Sequence, residues 1–254
     1  HFFHNFNYLV EFMVIHSIFP ESEARLLYQH GNPQTCLAVE EAIARCGIPT
    51  FRVWTTSRCV VVGRFQKVEK EVDIQYCEAH DIPVLRRFTG GGAVFLDEGV
   101  PCLSFCFPLA PNPVDVFRTI SSCVADMVNA SIDEKNSLFI GKRKISGAAS
   151  CKKWSSLFHH MTLVVKCNLE YMKALTPERN EGSRTGSTYS EVANITGNMK
   201  VILLEIAKNF QKEFDITLKS GKLSQREVEL ADRLLKGKYK KEEWNLWGVD
   251  PLKE

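Results

Sequence analysis

Residues 86–95 read Arg86-Arg87-Phe88-Thr89-Gly90-Gly91-Gly92-Ala93-Val94-Phe95, RRFTGGGAVF. Two arginines run into three consecutive glycines, and the chain then returns at once to apolar residues. Glycine loses more backbone freedom on folding than any other residue, so three together need a use that offsets the loss. Val84–Arg87 ahead of them and Ala93–Leu96 behind them have the composition of short strands. The link is then a turn whose positions can take positive φ and whose peptide N–H groups a ligand can approach closely. With Arg86 or Arg87 alongside, those groups make an anion site suited to a phosphate or a carboxylate. The pattern is not GxGxxG and no helix signal follows it, so neither a dinucleotide fingerprint nor a P-loop fits. A tight hairpin with two solvated arginines is the plain alternative.

Outward from the loop, hairpins and helices mix without βαβα alternation. Thr35–Ala44 has helical periodicity. Phe51–Trp54 and Cys59–Val62, parted by TTSR, predict a hairpin. Val68–His80 predicts one charged helix stopped at Ile82-Pro83. Leu103–Phe107 reads as a strand and Val114–Ala130 as an amphipathic helix. Leu138–Ile140 and Lys144–Ser146 flank a Gly-Lys-Arg turn, a second hairpin. Met161–Val165 reads as a strand, and Ile202–Phe214 and Gln225–Lys236 as helices. The polar, glycine-bearing stretch 177–190 reads as mobile. The order predicts an α+β fold, a mixed and largely antiparallel sheet flanked by helices.

Composition narrows the functions. The 254 residues suit one large domain, or one domain with a small appendage. A net charge of +2 gives no general case for nucleic acid or a membrane surface, so anion binding must come from local arrangement. The nine cysteines show no CxxC pair or zinc spacing and fit reduced, mostly buried thiols in a cytosol-like compartment. No apolar run reaches the roughly 20 residues of a membrane span. The aromatic-rich first 24 residues do not read as a secretory signal and are read as a fragment start or as a strand or helix added to a domain spanning 25–254.

Two further motifs carry chemistry. In Gly141-Lys142-Arg143-Lys144-Ile145-Ser146-Gly147-Ala148-Ala149, a cationic turn leads into a strand bearing Lys144, followed by small residues that let another group approach. A lysine held on a strand is a rigid positive charge, suited to charge developing on a transferring phosphoryl or acyl group, although the motif alone reads better as a basic surface turn. In Leu157-Phe158-His159-His160-Met161-Thr162-Leu163, two histidines stand by a strand. With no carboxylate or cysteine at ligand spacing, a hydrogen-bonding pocket histidine is the better reading than a zinc ligand.

RRFTGGGAVF, GKRKISGAA and FHHMTLVV, in that order, resemble the lipoate–protein ligase A family within the biotin/lipoate ligase and lipoyl/octanoyl transferase superfamily. Arg25-Leu26-Leu27 through Leu37-Ala38-Val39-Glu40-Glu41, Val61-Val62-Gly63-Arg64-Phe65-Gln66, Glu191-Val192-Ala193-Asn194-Ile195 and Tyr239 to Asn245 extend the likeness over about residues 25–248. The resemblance implies a class II synthetase or biotin ligase-like catalytic domain. It implies activation of lipoate with ATP to lipoyl-AMP, with Mg2+, and transfer to a lysine of lipoyl-domain acceptors such as dehydrogenase E2 or the glycine-cleavage H protein. It implies that Thr89, Gly90, Gly91, Gly92, Ala93 and Val94 wrap the adenylate, with Arg86 or Arg87 near its phosphate. Lys144 is the implied catalytic residue, beside Ile145, Ser146, Gly147 and Ala149. Gly63 and Gln66 match acyl-pocket walls, Asn136 a phosphate and magnesium position, and His160 and Thr162 the His-His-Gly-Thr motif.

The chain departs from the pattern at Leu96 and Val100, at Ser137 where aspartate is usual, and at Met161 where glycine is common. The resemblance also implies that some relatives of this length use a separate accessory subunit, and one is expected here too because the chain stops at Glu254, too early to hold the appended domain of longer ligases. A carrier-dependent, ATP-independent transferase using Cys151 or Cys167, and a non-catalytic lipoate-binding paralogue, are the rival readings. The expected compartment is the cytoplasm, or the mitochondrion in a eukaryote.

Overall fold

A computed structural model describes residues 22–109, 112–176, 187 and 189–252. The predicted segment 1–24 lies almost wholly outside them, as does most of 177–190. The first half runs β1 (Glu23–Gly31), α1 (Pro33–Cys46), β2 (Thr50–Thr56), β3 (Cys59–Val62), α2 (Val68–Glu71), α3 (Ile74–Ala79), β4 (Val84–Arg86), β5 (Val94–Leu96), β6 (Cys102–Pro108) and α4 (Pro113–Met127). The second half runs β7 (Ser131–Ile132), β8 (Leu138–Ile140), β9 (Arg143–Ser146), β10 (Ala148–Lys153), β11 (Ser156–Thr162), α5 (Met199–Glu213), β12 (Thr217–Ser220), α6 (Gln225–Leu234) and α7 (Glu242–Asn245). The architecture is α+β: β1 pairs in parallel with β2 and β12 and β3 with β4, while the other described strand pairings are antiparallel.

The main sheet has six strands in the order β10-β11-β6-β2-β1-β12. Side chains alternate across a strand, and here the alternation divides the core from the site. Phe51 and Val53 on β2, Leu103, Phe105 and Phe107 on β6, and Leu157 and Met161 on β11 pack against α4 and α5. Phe51 stacks on Phe105 at 4.6 Å, with Phe210 of α5 closing the group. The opposite face carries Arg52, Trp54, Ser104, Phe158 and His160, and α1 lies over it. Helix α1 starts where the Asn32 side chain accepts from Gln34 N–H and stops at Gly47, at φ +70°.

The predicted hairpin from Phe51 to Val62 does not form. Both strands exist, but β3 is the centre of a separate three-stranded sheet, β4-β3-β5. Cys59, Val60, Val61 and Val62 are all buried, which suits a strand flanked on both sides and not a half-exposed hairpin arm. The Thr-Gly-Gly-Gly loop therefore crosses from one edge of this sheet to the other, since β4 and β5 each pair with β3. The predicted helix 68–80 breaks in two. Val72 takes an extended conformation and bridges Leu175, and the Asp73 side chain restarts the helix by accepting from Tyr76 N–H. The hairpin around Gly141 is as expected. Strand β11 starts five residues before the predicted Met161 and ends at Thr162, because β10 pairs along its length through a turn at Trp154 and Ser155.

The last elements return to the front of the molecule. After α6 a π-helical turn, Leu235–Tyr239, aims Lys238 inward to Glu41 of α1 at 3.1 Å and Asp250 at 2.7 Å, over the Trp244 ring. The Tyr239 hydroxyl also donates to Glu41.

Candidate active site

A cavity of about 780 Å³ opens between the glycine loop, the β9–β10 corner and the α1-facing side of the main sheet. Part of its wall is apolar, with Leu37, Trp54, Val61, Phe95, Met172 and Leu175. Another part is charged and polar, with Asp133, Glu134, Lys135, Ser137 and Lys144.

Each sequence-predicted residue has a definite place. Gly91 sits at φ +85°, a conformation that favours glycine, and a Cβ there would lie 2.9 Å from the Arg87 guanidinium and 3.4 Å from the Ala149 methyl. Gly91, Gly92, Ala93, Val94 and Arg87 line the cavity. Buried Arg87 grips the loop: its Nη2 donates to the carbonyls of Gly90 (2.6 Å) and Gly92 (2.8 Å), its Nε to Thr89 Oγ1 (3.1 Å), and its Nη1 to Val61 O (3.2 Å). Burial brings its pKa down to about 10 against the pull of Glu40, and it stays a cation at neutral pH.

Arg86 does something else. It is buried outside the cavity and donates to five carbonyls, of Gly63, Arg64, Gln66, Trp244 and Leu246, at 2.7–3.1 Å. It staples α7 to the turn after β3. Gly63 and Gln66 belong to that turn and lie behind the loop, not in the cavity wall. The Gly63 N–H donates to Gln66 Oε1, and Gln66 Nε2 donates to Ser187 Oγ, which also accepts from Ala93 N–H.

Lys144 stands on the opposite side. Its backbone is clamped on both edges, N–H to Glu191 O at 2.7 Å and carbonyl to Ala193 N–H at 3.0 Å, which fixes the root of the side chain. Among the described residues its ammonium has no hydrogen bond or ion pair. Burial lowers its pKa, opposed by the carboxylate of Asp133. Next to it the Ser146 hydroxyl is buried without a partner and faces the same cavity. Ile145 points into the core instead. Gly147, Ala149 and Thr162 line the wall, and the Gly147 N–H donates to Thr162 Oγ1. Asn136 is half-buried at φ +61° in the β7–β8 turn and does not line the cavity. Its neighbours do, and Asp133 Oδ1 fixes the turn by accepting from the N–H groups of Lys135 and Ser137.

Sequence reasoning gave Glu40 no role at the site. It is fully buried on α1 and lines the cavity beside His160. Its carboxylate accepts from Trp54 Nε1 at 3.0 Å and from Ser104 Oγ, and lies 3.1 Å from His160 Nδ1. His160 Nε2 is 2.7 Å from Thr89 Oγ1. Burial alone would raise the Glu40 carboxyl. His160, Arg52 and the hydrogen bonds outweigh it and hold the group at about 2. The signal was the LAVEEAIA helix itself, in which Glu40 falls on the same face as Leu37, an odd place for a charge without a partner.

The rival cysteines are poorly placed. Neither Cys151 nor Cys167 lines the cavity, and burial raises their thiols to about 11 and about 12, where they stay protonated and weakly nucleophilic.

Over residues 32–215 the chain matches the family described as lipoyl protein ligase A/B catalytic domain, and it belongs to that family. Among individual relatives, lipoate-protein ligase A subunit 1 of Thermoplasma acidophilum is 29% identical, the alignment covering 89% of this chain and 97% of that one. Lipoate–protein ligase 1 of Staphylococcus aureus is 28% identical over 87% of this chain and 71% of its own. Among solved structures, a T. acidophilum protein with bound lipoic acid superposes with a TM-score of 0.79 at 28% identity, covering 89% of this chain and 99% of that one. A lipoate-protein ligase A bound with ATP gives 0.79 at 27% identity, covering 89% and 100%. An archaeal bi-partite lipoate protein ligase, described with its E2 lipoyl domain, gives 0.79 at 28%, covering 91% and 98%.

Proposed function

We propose that this chain is the catalytic subunit of an ATP-dependent lipoate–protein ligase. The lipoate carboxylate attacks the α-phosphorus of ATP and pyrophosphate leaves. The amine of an acceptor lysine then attacks the lipoyl carbonyl carbon, the bond to AMP breaks, and the amine gives up a proton. The observation that carries this reading is the unpaired Lys144 ammonium facing the same cavity as the glycine loop, with an apolar wall alongside. The apolar wall takes the acyl chain at about 0.8 kcal/mol per buried methylene. The loop grips the mixed anhydride, and Lys144 offsets negative charge developing on its oxygens.

Magnesium commonly takes one or two carboxylates together with substrate phosphates and water. Among the described residues no group of three or more His, Cys, Asp or Glu could cage a metal, whereas Asp133 and Glu134 are in the cavity wall. Asp133 and Glu134 fit the protein side of an ion that the nucleotide would chiefly hold, whereas Asn136, outside the wall, does not. Such an ion neutralises phosphate charge.

Acceptors are lipoyl-domain proteins, a dehydrogenase E2 or the glycine-cleavage H protein. A separate accessory polypeptide completes the enzyme, a reading supported by the bi-partite ligase among the similar structures. Among the described residues no helix is long and apolar enough to cross a membrane, and we place the activity in the cytoplasm, or the mitochondrion of a eukaryote. The test is to supply lipoate, ATP and Mg2+ with a lipoyl domain, with and without the accessory polypeptide. Pyrophosphate release and a lipoyl-sized mass gain on the acceptor are expected. Transfer from an octanoyl carrier without ATP would overturn the proposal.

A further inference from the structure

In the chain of groups running from α1 to the glycine loop, the carboxylate at one end sets where the hydrogens go. The Arg87 Nε–H is a donor and nothing else, and it is shared between Thr89 Oγ1 and the Gly90 carbonyl, each 3.1 Å away. The Thr89 hydroxyl has a single hydrogen, and its other neighbour is His160 Nε2 at 2.7 Å. The Thr89 oxygen receives from arginine on one lone pair, and its hydrogen is free to go to Nε2, which accepts it when the imidazole proton is on Nδ1. Nδ1 faces Glu40 Oε2 at 3.1 Å. A carboxylate can only accept, so a bare Nδ1 there would set a lone pair against a buried negative charge. The other oxygen of Glu40 takes the Trp54 and Ser104 hydrogens. An imidazolium would crowd a second cation against buried Arg87 and leave the Thr89 hydrogen without this acceptor.

We propose that Glu40 is a positioning residue: its carboxylate fixes the Nδ1–H tautomer of His160 and, through Thr89, the seat of Arg87 against the glycine loop. Arg87 holds the carbonyls of Gly90 and Gly92 by the same guanidinium, so the tautomer of a histidine on β11 sets the shape of a loop that leaves β4. In Glu40→Gln, the amide oxygen takes the place that Trp54 and Ser104 address, and the NH2 is turned toward Nδ1. Two donors then oppose each other, and the imidazole proton must move to Nε2. There it donates to the Thr89 oxygen instead of accepting from it, the Thr89 hydrogen loses its acceptor, and the hydroxyl must turn from the seat it shares with Arg87.

The proposal needs the ligase reading only for its kinetic arm. The first measurement is the tautomer of His160, from long-range 1H–15N spectra of 15N-histidine-labelled full chain at pH 7.5, assigned with His160→Asn. The expected result is Nδ1–H in the wild type and Nε2–H in Glu40→Gln. A wild type with Nε2–H, an imidazolium, or an unchanged tautomer in the variant overturns the idea. The second measurement is lipoate- and ATP-dependent pyrophosphate release. Glu40→Gln is expected to lose about 10- to 100-fold in kcat with KM for lipoate little changed, the cost of a displaced loop rather than of a lost ligand contact, and Glu40→Asp, which keeps an acceptor-only group, to recover part of it. Equal kcat in wild type and Gln variant also overturns it. A wild type without activity would remove the ligase reading and leave the spectra to decide the tautomer. If Glu40→Gln does not fold, the wild-type spectrum alone decides.

Discussion

Gly63→Ala tests whether the glycine loop must sit where it does. The residue is held by the Gln66 side chain on its N–H and by Arg86 on its carbonyl, so its backbone has little room to move. A Cβ there would lie 2.1 Å from the Gly91 carbonyl oxygen, 3.1 Å from the Gly91 carbonyl carbon and 3.2 Å from that of Gly90. Ordinary contact begins at 3.4 Å, so the loop would have to retreat by about 1.3 Å. Arg87 opposes that retreat through the carbonyls of Gly90 and Gly92. Overpacking of this kind typically costs about 1–3 kcal/mol of stability, and a reacting group displaced by about 1 Å loses on the order of 10²-fold in rate. We expect Gly63→Ala to fold, to unfold at lower urea concentration by that margin, and to release pyrophosphate about 100-fold more slowly. Gly141→Ala is the control: its φ is +61°, but an added methyl meets nothing within 4 Å, so it should cost some stability and leave the rate alone. Wild-type rate and stability in Gly63→Ala would refute the reasoning outright.

Lys144→Ala should lower lipoyl-adenylate formation by about 10²–10³-fold, as expected for loss of a charge aimed at the reacting oxygens. Its thermal midpoint should hardly move, since the ammonium has no ion pair among the described residues; a variant within threefold of wild-type rate argues against the assignment. His159 is buried without charge between Ser121 and Ser150, and burial pulls its pKa from 6.5 to about 3. The unfolded chain takes up a proton in that window and the native chain does not, so stability should fall by up to roughly 1.4 kcal/mol per unit as pH drops from 6.5. Glu40, held near 2 against an ordinary 4.5, adds a second loss below about pH 4.5. Urea midpoints at pH 7, 5.5 and 4 check this, and a flat profile contradicts it. Lys238→Met should destabilise by about 3–5 kcal/mol in urea unfolding, because Glu41 and Asp250 lose a buried counter-ion. A change below about 1 kcal/mol would mean that Arg45, whose Nη2 lies 2.8 Å from Glu41 Oε1, and Tyr239 suffice for Glu41.

Local chemistry in the sequence was enough for most elements, because apolar periodicity and end signals act over a few residues. The helix expected over Ile202–Phe214, found as Met199–Glu213, and the Gly-Lys-Arg turn are of that kind. Pairing was harder to read. Cys59–Val62 looks alike as a hairpin arm or a central strand, and only the distant Val84–Arg86 and Val94–Leu96 decide between them. The break at Val72 depends on Leu175, about a hundred residues away. At the site, the glycine run stood out by its residue types, while Lys144 was singled out only by the order of the three motifs and the family they resemble. Arg86 and Arg87 are neighbours of one type and could not be told apart until the carbonyls around each were known. Glu40 sits in an ordinary amphipathic helix, and its meaning comes from Trp54, Ser104 and His160, three strands that sequence order alone does not bring together.

The Arg86 staple joins residues 158 positions apart in the chain. At roughly 5–20 residues per second of synthesis, the guanidinium leaves the ribosome about 10–30 s before Trp244 arrives to accept from it. During that interval the turn carrying Gly63 has nothing from α7 behind it. A nascent chain would thus hold its apolar groove and its cationic loop in loose register, and would become a competent catalyst only as translation nears its finish.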